Sequence, residues 1–236
     1  MSLPSGASDP PETKFADTGD YTAKQISQNT HSVNVTLEQE HPKTRDGLRE
    51  LIVNMPADQF ANYHLLDRVP WLFQTRHSYI SWKTELAKNL QVDPFAIVIV
   101  GSAALGFSLS PGKDLASFHD NSDIDIAIIS TNHFESSWTW LRNLGPVDRL
   151  APGSAEAGML KQHRRNLVFD GAIATDKIIT RLPFGVEWTK AFIEAANREP
   201  TVGRQIKGRI YRDYESLRQY QVHNLVNLKN QILSDI

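Results

Sequence analysis

Two short apolar runs set the outer limit on what this chain can fold into. Phe95-Ala96-Ile97-Val98-Ile99-Val100 is β-branched and lies between Pro94 and Gly101, the pattern of a buried strand. Residues 121–129, NSDIDIAII, read as a second strand that opens with two carboxylates. Strand side chains alternate, so Asp123, Asp125, Ala127 and Ile129 share one face while Ile124, Ile126 and Ile128 share the other. The carboxylates then stand side by side, roughly 6.5–7 Å apart at their α-carbons from the strand rise. Like charges so close repel unless something positive lies between them. A divalent ion such as magnesium, which takes carboxylate oxygens, would serve. Taken alone, a D-x-D at a strand start is more often a solvated strand end, so the weight rests on its surroundings.

Those surroundings alternate helix with strand. Tyr79, Trp82, Leu86 and Leu90 recur at spacings of three and four, which predicts an amphipathic helix over 75–90. Asp93-Pro94 ends that region. Gly101-Ser102 closes the first strand, and Ala103-Ala104-Leu105 suits the opening of a short helix. Beyond the second strand, Ser130, Thr131 and Asn132 offer capping side chains, with Glu135 in capping-box spacing from Asn132. Phe134, Trp138 and Leu141 predict the buried stripe of the next helix, which Gly145-Pro146 stops. Residues 147–160 read as a loop, and 161–196 as mainly helical, broken by Pro183 and Gly185. Residues 205–214, QIKGRIYRDY, alternate like a strand. A final helix follows with Leu217, Leu225, Leu228 and Ile232 on one stripe. This order predicts an α/β or α+β domain, a mixed sheet flanked by helices. The expected organisation is a loosely attached arm over 1–40, a helical region over 41–94 and a main domain over 95–236.

Composition removes several classes. The 236 residues include no cysteine, which excludes disulfides, thiolate zinc sites and a cysteine nucleophile. The N-terminus lacks the basic and apolar segments of a signal peptide, and no apolar run approaches membrane-spanning length. The expectation is a cytoplasmic protein without membrane contact. Net charge is −2, yet residues 161–236 carry 13 Lys+Arg against 8 Asp+Glu, so the C-terminal third is the side suited to phosphates.

The chemistry gathers where the strands end. Gly101 lets a phosphate chain approach the backbone, Ser102 offers a hydroxyl, and carboxylates on a neighbouring strand would hold magnesium against the same phosphates. GSAALGFS followed by SDIDIAII resembles the signature of the nucleotidyltransferase superfamily, whose fold is shared with the palm of DNA polymerase β. The resemblance covers about residues 95–130. It implies a nucleotidyltransferase fold, phosphate contact at Gly101 and Ser102, and magnesium binding at Asp123 and Asp125. The implied reaction is transfer of an NMP from an NTP to a hydroxyl acceptor with release of pyrophosphate, aided by two metal ions. The acceptor stays open among protein, RNA, small molecule or another nucleotide.

Two departures from that pattern matter. Twenty residues, 103–122, separate Gly-Ser from D-x-D, either as a surface insertion or as a flap carrying Lys113 to phosphate. Active members of the family also carry a third carboxylate on a later strand. Asp170, Asp176, Glu187 and Asp213 are the candidates, and Asp213, at the end of the late strand, is the choice made from sequence. Lys207, Arg209 and Tyr211 fill the middle of that strand's face. A nucleotide-binding or antitoxin-like protein that lost the third acid, and a nucleic-acid-binding module using the basic C-terminal third, are the alternatives. Lys161, Arg164 and Arg165 read as a solvated basic face, His163 and His223 as isolated histidines. Trp188 is the one tryptophan considered for base stacking.

Overall fold

The computed structural model describes residues 41–146, 149–176 and 178–234; the arm expected over 1–40 lies outside them. The fold is mixed α/β, with a four-stranded sheet in the order β1-β2-β4-β3. The strands are β1 (Ile97–Val100), β2 (Ile124–Ile129), β3 (Ala172–Ala174) and β4 (Ile206–Tyr211). β2 runs antiparallel to β1 and parallel to β4, and β3 runs antiparallel to β4.

The period-two alternation read from 123–129 is the one the sheet uses. Ile99 pairs with Ile126, which pairs with Gly208, and Ile128 lies beside Ile210. These residues form one buried face of the sheet. Helices α3 (Arg76–Leu90), α5 (Thr131–Asn143) and α7 (Gly185–Ala195) supply much of the apolar surface packed there. The stripe expected on α3 is buried, with Leu86 and Leu90 fully inaccessible. Thr75 caps that helix by accepting from the Ser78 amide. The opposite face carries Val98, Val100, Ala127 and Tyr211, covered at one end by Leu217 of α8 (Tyr214–Ser234). Leu225, Leu228 and Ile232 of α8 are buried, as the spacing predicted.

Helices α1 (Arg45–Asn54) and α2 (Ala57–Phe60), the latter continued by a π-turn over Ala61–Leu66, join the same core through Leu48, Ile52, Phe60 and Leu65. The described residues form one compact unit. A one-turn helix, α4 (Ser102–Leu105), follows β1 directly.

Several local expectations need correction. The cap of α5 is Ser130, whose hydroxyl accepts from the His133 amide, rather than Asn132 in a capping box. Residues 155–162 form a helix, α6 (Ala155–Gln162), capped by Ser154, where a loop was expected. Strand β3 interrupts the stretch read as helical; Ala172 and Ala174 carry little β propensity of their own, and one Ile between them makes a strand only where β4 offers a partner. Gly185 opens α7 instead of breaking a helix. Trp188 is 1% exposed and sits among His133, Phe184 and Phe192, so no base can stack on it. His163 is buried and satisfied on both ring nitrogens, one meeting the Met159 carbonyl and the other accepting from the Ala174 amide. Among the described residues, no helix is long and apolar enough to cross a membrane.

Candidate functional site

A cleft of about 520 Å³ opens on the polar half of the second sheet face, with Tyr211 in its lining next to the apolar cluster that contains Leu217. Its floor follows from strand register. Val100 lies opposite Asp125, which lies beside Lys207, and Ala127 lies beside Arg209. The Gly-Ser turn and the D-x-D pair, separated by twenty residues in sequence, therefore meet at one edge of the cleft. Gly101 has φ 67° and ψ −149°, a region essentially restricted to glycine. A β-carbon there would come within 3.0 Å of the Asp125 Oδ2.

The start of β2 is held from outside. Arg204 donates to the carbonyls of His119 at 2.6 Å and Asp120 at 2.9 Å, and pairs with the Asp120 carboxylate at 3.2 Å. Its guanidinium also lies over the Phe118 ring. The Ile124 amide donates to the Gln205 carbonyl. Together these bonds fix the approach of the chain to Asp123.

The repulsion expected between Asp123 and Asp125 is met by protein cations. Lys207 Nζ lies 2.5 Å from Asp123 Oδ2. This bond, more than any other influence, holds the ammonium above its ordinary pKa. Asp125 is open to the cleft by surface area, but the walls around it withdraw bulk water. That desolvation raises its pKa; Arg209 and Lys207 oppose the rise, and Asp123 adds to it. Arg209 is itself fixed by a hydrogen bond to the Tyr220 hydroxyl from α8.

The insertion between the motifs folds back over the protein. Phe107 pairs with Ser117, and Leu115 is 1% exposed. Asp114 forms ion pairs with Arg45 and Arg49 of α1. Lys113, next to that anchor, lines the cleft and acts electrostatically on Asp125. The insertion thus packs Leu115 into the core and brings Lys113 to the cleft.

Asp213 is not brought into the site. β2 and β4 run parallel with Asp125 beside Lys207, so Asp213, six residues past Lys207, lies roughly 20 Å along the strand direction. Its carboxylate instead caps α8, accepting from the amide and hydroxyl of Ser216 at 2.7 Å and from Arg212. The Ser216 amide bond is the main reason its pKa falls below the usual carboxylate range. Asp176 does line the cleft. It follows Thr175, whose hydroxyl and amide both donate to the Gly208 carbonyl, and strand alternation brings it alongside Lys207, on which it acts electrostatically. Lys207 thus stands between the β2 carboxylates and Asp176.

The far wall comes from α8, through Tyr220, Gln221 and Asn224, none of which was singled out from sequence. The available signal was Gln221, which falls in the Leu217–Leu225 stripe where an apolar side chain would fit.

Among the described residues, no group of three or more His, Cys, Asp or Glu side chains could hold a metal ion by itself. Asp123 and Asp125 fit a different arrangement. Magnesium commonly takes one or two carboxylates and completes its shell with waters and substrate phosphates. Two adjacent carboxylates ringed by Lys113, Lys207 and Arg209 have the chemistry to receive a polyphosphate together with its cation. No family model, curated protein or solved structure matches this chain.

Proposed function

We propose that the cleft binds a nucleoside triphosphate with magnesium, and that the protein transfers the nucleotidyl group to a hydroxyl acceptor, on a nucleotidyltransferase fold. The observation that carries this reading is the meeting of the Gly101–Ser102 turn with Asp125 across the β1–β2 register. A phosphate chain at the turn would lie beside the carboxylates suited to its magnesium.

The residues divide by chemistry. Ser102 offers a hydroxyl to the phosphate chain, while Lys113, Lys207 and Arg209 balance its charge. Asp123 and Asp125 would hold magnesium, which when bound supplies positive charge to the reacting phosphates. In the reaction the acceptor oxygen forms a bond to the α-phosphorus as the bond to the β-phosphate bridging oxygen breaks, and pyrophosphate leaves. The hydroxyl proton goes to Asp176, the remaining carboxylate that lines the cleft. Lys207 must release Asp123 for the nucleotide to enter; the pair is more than a third exposed on both sides, so its separation costs little.

One observation favours a second reading, nucleotide binding without transfer. Lys207 and Arg209 occupy the β4 positions beside Asp125 and Ala127, where a third carboxylate would complete a metal cage. The deciding experiment incubates the protein with each NTP, magnesium and candidate acceptors, and measures pyrophosphate. Release that depends on magnesium and is lost in Asp125→Asn supports transfer. Saturable, magnesium-dependent NTP binding without any release supports the second reading.

A further inference from the structure

Gln221 is 9% exposed and stands within the buried stripe of α8, four residues from Leu217 and four from Leu225. Its amide makes no hydrogen bond among the described residues and is open to the cleft that it lines. Asn224, three residues on and so on the same side of the helix, also lines the cleft. A ligand edge in the cleft can bond both amides.

The type of ligand follows from the donor pattern. A carboxamide sets one acceptor beside two donors, which matches the mixed edge of a nucleobase and is a poor match for phosphate. The phosphate-suited cations Lys113 and Lys207 belong to the opposite wall and the floor, near Gly101 and the β2 carboxylates. Arg209 clamps Tyr220, the neighbour of Gln221, and so fixes this stretch of α8 against the sheet.

We infer that Gln221 and Asn224 form the base-selecting end of the cleft, and that the base is adenine. An amide pairs with adenine in bidentate fashion, accepting from N6 and donating to N7. The inference rests on the nucleotide reading above and adds to it the identity of the substrate.

The test measures affinity for ATP, GTP, CTP, UTP and inorganic tripolyphosphate, each with magnesium, in the parent protein and in Gln221→Glu, Gln221→Ala and Asn224→Ala. The parent binds ATP most tightly, and each variant loses roughly tenfold or more of that preference, while the two alanine variants hold tripolyphosphate as the parent does. Gln221→Glu loses most for ATP, since it sets a carboxylate oxygen against the N7 lone pair in place of a donor. Asn224 is less buried, so Asn224→Ala supplies a folded variant if the Gln221 changes disturb packing. A parent that binds all four NTPs alike, or variants that keep the ATP preference, overturns the inference and leaves the nucleotide reading standing. A parent that binds neither NTP nor tripolyphosphate overturns both.

Discussion

Replacing Gly101 with alanine should weaken the fold before any nucleotide is present. The residue sits at φ 67° and ψ −149°, where a non-glycine residue costs roughly 1–3 kcal/mol in backbone strain. The added β-carbon would also lie 3.0 Å from Asp125 Oδ2, closer than ordinary van der Waals contact, so the carboxylate must shift. For a folded unit of this size, each kcal/mol lowers Tm by about 2–4 °C, which puts the expected fall at roughly 2–12 °C. Gly112→Ala provides the control, because Gly112 has φ 79° with no atom within 4 Å of its added β-carbon. That variant meets the dihedral strain without the clash. Urea unfolding of parent, Gly101→Ala, Asp125→Ala and the double variant measures the contact separately from the strain. The two losses should be non-additive, with Gly101→Ala less damaging once Asp125 is absent. A Gly101→Ala protein as stable as the parent, or a double variant that shows simple additivity, would refute the reasoning.

Asp125→Asn should raise metal-free stability near neutral pH. The folded-state pKa of Asp125 is raised above its ordinary value, so charging the carboxylate disfavours the native state as pH climbs from the ordinary carboxylate range through the raised value; below that range parent and variant should converge, as thermal unfolding against pH can check. Asp213→Ala should remove the α8 cap at about 1 kcal/mol, whereas Asp213→Asn, which can still cap, should cost less. Because the Asp213 pKa is depressed, the stability it gives is present above the ordinary carboxylate range and lost as pH falls through the depressed value; neither variant should alter nucleotide affinity by titration. Asp176→Asn should cut pyrophosphate release by about 10²–10⁴ with NTP affinity nearly unchanged, and undiminished release would remove Asp176 from the reaction.

How far the sequence could be read depended on whether a signal was local. The two strands and the D-x-D face were legible because side-chain alternation along 123–129 is a property of that stretch alone. The α3 and α8 stripes were legible for the same reason, through helical spacing. β3 was not, because Ala-Ile-Ala becomes a strand only beside β4. The choice of Asp213 failed on register. Position at the end of a late strand says nothing about which end of that strand faces Asp125, and the parallel pairing of β2 with β4 puts Asp213 at the wrong one. Asp176 was visible as a carboxylate, but its approach to Lys207 depends on the antiparallel pairing of β3. Lys207 supplies positive charge beside the D-x-D pair, and its period-two spacing with Arg209 places both on one face of the strand.

The most direct measurement is a calorimetric titration of ATP into the parent protein and into Asp125→Asn, each with and without magnesium. The account predicts saturable binding by the parent that strengthens with magnesium, and loss of the magnesium-dependent part in the variant. Equal affinity in all four titrations, or no binding by the parent under either condition, would contradict it.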